Sequence, residues 1–207
     1  MAGFWLSNSN APPPEISLSG EFTLSAPPKT DISHKPPSTE AFNAPIFCRR
    51  VPLYSFRRAR VTVAAPWKTL YDQGGLILIL RQERGIYRWV KTGIEFYDGR
   101  ANVSTEVADR YADWSLMPLS PEGSQSVTVE MEREVKGGSL GPSLWIYVVN
   151  GEERRPIREV SWVFEDEAKV SHTWVGVYAA KPTPDTAVGK ENDTLEVSFK
   201  DLVVDNV

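Results

Sequence analysis

The chain has 207 residues, 41% hydrophobic and 24% charged, with 7 Trp, 7 Tyr and 8 Phe; this is the make-up of a globular domain whose aromatic content favours strands over helices. A formal charge of −4 argues against nucleic acid as a partner, because such binding draws most of its affinity from clustered Lys and Arg. A single cysteine, Cys48, rules out an intrachain disulfide, and no apolar run approaches the ~20 residues of a membrane-spanning helix, so no membrane partner is expected.

Residues 1–20 carry Pro12-Pro13-Pro14 among Ser and Asn without apolar periodicity, which predicts a flexible N-terminal extension. Met1 to Asn10 lack the basic-then-apolar pattern of a secretory leader, so the expected location is cytoplasmic. From residue 21 to 207 a single domain is expected. Its first part, Glu21 to Pro52, contains Pro27, Pro28, Pro36, Pro37, Pro45 and Pro52, which forbid helix and allow extended segments along a sheet edge.

After Leu53 come nine short β-like runs: Ser55–Val63, Leu76–Leu80, Arg88–Phe96, Asn102–Val107, Ser126–Arg133, Leu144–Val149, Arg158–Phe164, Trp174–Ala179 and Leu195–Val204. With no amphipathic helix among them, they predict an all-β fold, an antiparallel two-sheet sandwich of jelly-roll type.

Two hairpins can be read in detail. Asp98-Gly99 is the dipeptide that a two-residue type I′ turn prefers, because both central positions need positive φ. Placing it at the tip pairs Glu95 with Asn102, Gly93 with Ser104 and Lys91 with Glu106. That register puts Val90, Thr92, Ile94, Val103, Thr105 and Val107 on one face and gathers Trp89, Lys91, Gly93, Glu95, Asn102, Ser104 and Glu106 on the other. A second hairpin is signalled by Asn150-Gly151 after Leu144–Val149, with Pro156 interrupting the return strand.

Six ordered motifs carry a resemblance: Ala26-Pro27-Pro28-Lys29-Thr30-Asp31, Phe42-Asn43-Ala44-Pro45, Tyr71-Asp72-Gln73-Gly74-Gly75-Leu76, Trp89-Val90-Lys91-Thr92-Gly93-Ile94-Glu95, Val103-Ser104-Thr105 and Asp113-Trp114-Ser115-Leu116. From about Phe22 to the C-terminus the chain resembles the concanavalin A-like family that includes the fungal "regulation of enolase" protein and bacterial relatives found among sugar-utilisation genes. The resemblance implies a jelly roll with a concave and a convex sheet. It implies little about chemistry, since carbohydrate binding by other proteins of this fold is an analogy and a fold does not carry a function.

The Trp89, Lys91, Glu95, Asn102 and Ser104 patch is the sharpest candidate binding site. Lys and Glu can hydrogen-bond hydroxyls or carbonyls, Asn and Ser can fix orientation, Trp can stack on a flat ligand, and Gly93 leaves a gap between them. The bland alternative is a solvated face on which Lys91 and Glu106 form an ordinary cross-strand pair. Asp72-Gln73 and Asp113-Trp114, at strand ends, can line the mouth of the same cleft or simply cap turns.

Classical glycosidase chemistry needs two opposed carboxylates. Glu130, Glu132 and Glu134 have strand spacing, but the alternation of Val127, Val129 and Met131 toward the core makes them an outward row. Glu159 and Glu165 flank Ser161 without the Asp of the glucanase motif. His34 and His172 are far apart, and no phosphate loop, nucleophile elbow or Cys/His cluster is present. Asp109, Asp113, Glu165, Asp166 and Glu167 form no recognisable calcium loop, so no metal and no cofactor are expected. The leading expectation is a lectin-like or regulatory module binding a carbohydrate or other small-molecule ligand. A cofactor-independent isomerase, lyase or cyclase with Lys91 and Glu95 as acid and base is the alternative, and a protein-interaction scaffold the third.

Overall fold

A computed structural model describes residues 3–82, 87–165 and 170–207. The described residues form strands β1 (Phe4–Ser7), β2 (Phe22–Ala26), β3 (Ile32–Lys35), β4 (Thr39–Phe42), β5 (Ile46–Val51), β6 (Phe56–Ala64), β7 (Gln73–Gln82), β8 (Tyr87–Tyr97), β9 (Arg100–Ala108), β10 (Ala112–Pro118), β11 (Ser126–Lys136), β12 (Ser139–Asn150), β13 (Glu153–Val160), β14 (Val170–Ala180) and β15 (Leu195–Asn206), with no α-helix among them. A seven-stranded sheet runs β1-β5-β14-β7-β8-β9-β10, and a six-stranded sheet runs β13-β12-β11-β6-β15-β2. Both are antiparallel throughout. The architecture is the expected two-sheet jelly roll.

Alternation along the strands builds the core. Leu76, Leu78, Leu80, Val90, Val175 and Val177 of one sheet meet Val61, Val63, Val129, Met131, Leu144, Ile146 and Phe199 of the other. Each such side chain stabilises the fold by about 1.5–3 kcal/mol on burial. The opposite face of the seven-stranded sheet is also covered. The β3–β4 hairpin lies over it, so that Ile32 and Ala44 pack with Ile77, Ile79, Trp89, Ala108 and Tyr178. Leu76 to Leu80 therefore reads as an unbroken apolar run, as a strand buried on both faces should.

The hairpin of β8 and β9 has the register that its turn dictates, with Lys91 opposite Glu106, Gly93 opposite Ser104 and Glu95 opposite Asn102. Asp98 and Gly99 hold φ of 53° and 73° at the tip. The second hairpin turns one residue later than expected. Asn150 pairs with Glu153, so Gly151, at φ 60°, takes the first central position, and the ladder shifts beside Pro156. Its return strand ends at Val160, and Trp162 and Phe164, expected on a strand, lie in the turn that follows. There Phe164 stacks on Phe56 at 6.1 Å.

Within the segment expected to be flexible, Phe4–Ser7 pairs with β5 as the edge strand. Trp5 meets Trp174 edge to face at 5.7 Å, and Asn8 Nδ2 donates to the carbonyls of Phe42 and Ala44. Next inward, Cys48 on β5 faces Gly176 on β14 so closely that a Cβ at 176 would come within 2.6 Å of the Cys48 Cα. Burial pushes the Cys48 thiol up to about 12.

Candidate binding pocket on the seven-stranded sheet

Alternate positions on β8 and β9 bring Lys91, Glu95, Asn102, Ser104 and Glu106 to the sheet face that the β3–β4 hairpin crosses. The face is therefore not solvated: Lys91 is 1% exposed and Glu95 4%. Lys91 Nζ donates to Gln73 Oε1 at 2.7 Å and to the Ile32 carbonyl at 2.7 Å, and it pairs with Glu106 Oε2 at 2.8 Å. Three protons meet three acceptors, so the ammonium ties β3, β7, β8 and β9 together. The Trp89 and Tyr178 rings flank it at 5.3 and 5.5 Å. Gly93 does not open a gap. It faces Gly75 across the β7–β8 ladder, and a Cβ at 93 would come within 2.0 Å of the Gly74 carbonyl oxygen.

Beside this anchor, Glu95 Oε2 accepts hydrogen bonds from Ser104 Oγ at 2.8 Å and Trp114 Nε1 at 2.9 Å. Burial holds the Glu95 carboxyl above the usual glutamate range. The Glu106 charge adds to this shift, while Lys91 and the two hydrogen bonds oppose it. Glu106 Oε1 is buried without a hydrogen-bond partner. Such an orphan is uncommon in a protein interior and asks for an explanation.

A pocket of about 370 Å³ opens here, within the range of small-ligand sites. Gln73, Glu95 and Glu106 come from the sheet, Asp31, Ser33, Lys35 and Thr39 from the hairpin side, and Tyr71 and Trp114 supply aromatic surface. Tyr71 sits at φ 67°, a conformation that a bulky residue adopts only when its surroundings impose it. They do so here: Tyr71 N donates to the Phe96 carbonyl and Phe96 N to the Asp72 carbonyl. The Asp72 carboxylate in turn accepts from the amides of Lys68 and Thr69 and from Lys181 Nζ. Tyr71, Tyr97 and Trp114 thus form an aromatic corner, with ring centroids 5.8 Å (Tyr71–Tyr97), 5.2 Å (Tyr97–Trp114) and 6.4 Å (Tyr71–Trp114) apart.

The structure brings together Gln73, Glu95 and Trp114, and it sets Lys91 and Ser104 behind them. It takes the other expected site residues away. Trp89 lies in the apolar cluster beneath the hairpin, because β3 and β4 cover the end of β8. Asn102 spends its amide on the Tyr97 and Arg100 carbonyls, which locks the turn. Asp72 is fully buried and shapes the Tyr71 loop from below. Asp113 leaves the pocket side of β10 to pair with Arg158 at 3.0 Å. Asp31, Lys35 and Tyr71 were not singled out from the sequence, although Asp31 and Tyr71 stand inside two of the six motifs, and Glu106 was read only as an ion-pair partner.

On the six-stranded sheet, Glu130 belongs to the expected outward row yet is fully buried, hydrogen-bonded by Arg154 and 3.8 Å from Arg58. A larger cleft, about 550 Å³, lies near Thr62 and Ser198, with a mixed apolar, hydroxyl and charged lining whose two carboxylates, Glu15 and Glu21, are exposed. Size alone does not mark a site, and the smaller pocket holds the convergent charged groups. Among the described residues no cluster of three or more His, Cys, Asp or Glu is placed to hold a metal ion. Asp166 and Glu167 lie outside the described residues. No helix of the described residues is long and apolar enough to cross a membrane.

Residues 9–206 match the family described as "Protein of unknown function (DUF1349)". The chain belongs to this family. The match reaches upstream of Phe22, where the resemblance read from motifs begins. A protein of Emericella nidulans, AN7484, is 47% identical over 207 residues, 99% of this chain and 96% of its own length. Regulation of enolase protein 1 of Saccharomyces cerevisiae is 32% identical over 113 residues, 55% of this chain and 53% of that protein. A crystal structure of a Saccharomyces cerevisiae protein superposes with a TM-score of 0.74 at 22% identity, covering 99% of this chain and 97% of that one. The GH43B structure from a Bacteroides ovatus xyloglucan locus superposes with a TM-score of 0.60 at 13% identity, over 99% of this chain and 37% of that one. Both structural likenesses concern the fold.

Proposed function

We propose that this protein is a lectin-like binding module whose pocket on the seven-stranded sheet takes a carbohydrate or other small polar ligand. One observation carries the reading: two buried carboxylates, Glu95 and Glu106, face the same pocket as an aromatic corner held in a strained backbone. Folding alone does not favour that arrangement, since well-packed apolar residues commonly stabilise a core as well as a buried ion pair does. A ring packed on Trp114 or Tyr71 with its hydroxyls bonded to carboxylates matches the apolar-plus-polar lining of small-ligand sites. That the jelly roll also occurs in GH43B supports the ligand class only as an analogy.

The test is a calorimetric screen of sugars and hydroxylated acids against the wild type, followed by Trp114→Ala and Glu95→Gln. Each variant should weaken binding roughly 5- to 150-fold, the loss of about 1–3 kcal/mol of a buried polar or stacking contact, with an unchanged circular dichroism spectrum. Full affinity in both would overturn the assignment of this pocket.

The enzymatic alternative draws support from one feature, the proton affinity of Glu95, which burial raises above the usual glutamate range, the direction that suits a carboxyl group serving as general acid or base. Lys91 does not suit the partner role, because all three of its protons are engaged. Product formation from a bound ligand, lost in Glu95→Gln, would establish this alternative over the lectin-like one.

A further inference from the structure

The polar groups at the sheet end of the pocket are sorted by sign. The donors are consumed within the protein: Lys91 on Ile32, Gln73 and Glu106, Gln73 Nε2 on Asp31 Oδ1, and both Ser104 Oγ and Trp114 Nε1 on Glu95. What remains at that end, apart from the second Gln73 Nε2 proton, is acceptor, whereas Ser33, Lys35, Thr39, Tyr71 and Thr183, which line the rest of the pocket, carry donors. Both bonds to the Glu95 carboxyl fall on Oε2, the bond from Gln73 to Asp31 falls on Oδ1, and Glu106 Oε1 has no partner at all. A buried acceptor without a donor costs free energy that a donating ligand group recovers.

From this sorting, and resting on the pocket reading above, we propose that the ligand is a non-anionic saccharide, neutral or amino-substituted, whose hydroxyl or ammonium groups donate to Asp31, Glu95 and Glu106 while one face of its ring packs on the Tyr71–Trp114 corner. Uronates and sugar phosphates are excluded from the deep end. Their oxygens would add acceptors where donors are wanted and set negative charge beside carboxylates in a water-poor site. Three carboxylates line the pocket against Lys35 and the already committed Lys91, so an amine at the donor position gains most. Lys35 Nζ stands 5.6 Å from the Trp114 ring centroid, on the exposed side of the hairpin. A ligand carboxylate directed outward to Lys35 is the rival arrangement.

Saturation-transfer NMR and competition on the wild-type chain separate the two. The probes are the free hexoses, their 2-amino derivatives, their uronates and their 6-phosphates, each in the gluco, galacto and manno series. Within the series that binds, the neutral and amino members should bind, the amino member at least as tightly, and the uronate and phosphate should be about tenfold or more weaker, as one like-charge contact in a buried site requires. A uronate or phosphate that binds as well as its neutral parent, and loses that binding in Trp114→Ala, overturns the ligand class and leaves the pocket in place. Sugar binding that survives both Trp114→Ala and Glu95→Gln overturns the pocket and this inference with it. Absence of binding by every probe overturns the saccharide assignment.

Discussion

The two sheets each carry a cluster of charged side chains on the face away from the central core, and the clusters differ in what lies over them. On the seven-stranded sheet, Lys91 and Glu106 stand opposite each other under the β3–β4 hairpin, and the ammonium finds all its acceptors inside the protein. On the six-stranded sheet, Arg154 reaches across Tyr147, its guanidinium 4.1 Å from the ring centroid, to bind Glu130 and Glu132, and Arg58 links Asp205 to the same group. Those arginines reach solvent, with side chains 39–40% exposed. Each cluster holds a buried oxygen without a hydrogen-bond partner, but Glu106 Oε1 belongs to an interior network that faces a cavity with Glu95, whereas Glu130 Oε2 lies 3.8 Å from the Arg58 guanidinium in a surface brace. Cover, not residue type, separates a candidate site from a solvated charge array.

The contrast should break most visibly at Lys91. Lys91→Ala leaves Glu106, Gln73 and the Ile32 carbonyl buried without a donor, and should cost about 3–5 kcal/mol in denaturant unfolding; a loss under 1 kcal/mol would mean that the face is effectively solvated. Next is the edge strand beside the covered face. Deleting residues 1–8 removes β1, the Trp5 contact with Trp174 and the Asn8 bonds to the β4 end, and should cost about 2–4 kcal/mol given the half-buried Phe4, Trp5 and Leu6. If the melting temperature does not move, the segment is an extension after all.

Glu95 sharpens the comparison through pH. Its folded-state proton affinity is raised above the ordinary value of 4.5, so its contribution to stability is fully present below pH 4.5 and is lost as pH rises through the raised value. Stability curves of wild type and Glu95→Gln should therefore run parallel below pH 4.5 and diverge in favour of the variant above it. Parallel curves throughout would show that burial does not hold the proton. The smallest effect is expected at the brace: Glu132→Gln should change stability by less than about 1 kcal/mol and less again in high salt, measured by the same unfolding experiment.

How much of this could be read from the sequence follows from what sequence patterns encode. The β8–β9 hairpin was legible because its turn dipeptide and its period-two alternation specify one register independently. Neither says what will lie across the polar face. β3 and β4, which cover it, are short strands in the proline-rich stretch whose pairing is set by tertiary contacts, so Trp89 read as a ligand platform when it is a core residue. β10 has no signature of its own because Ala112–Pro118 has no apolar run and its fold depends on the β9 edge; the sequence therefore offers Trp114 only as a strand-end residue at the cleft mouth, not as the side chain that fixes Glu95. Tyr71 gave no local signal, since its left-handed backbone is imposed by the buried Asp72 carboxylate and the Phe96 amide. The six-stranded sheet's Glu130 was placed on the correct face, but its burial comes from arginines on two other strands.

The lone thiol on β5 turns the sheet edge into its own clock. Cys48 is shielded by β1 on one side and Gly176 on the other, and with a proton held to about pH 12 it offers almost no thiolate to an alkylating reagent while the sheet is closed. Modification must then wait for β1 to peel away or for the sheet to part. Because the sequence contains no second cysteine, the labelling rate reads the opening equilibrium of that edge without any engineered probe. Comparing that rate with global unfolding tells whether the strand that borders the covered face breathes separately from the rest of the sandwich.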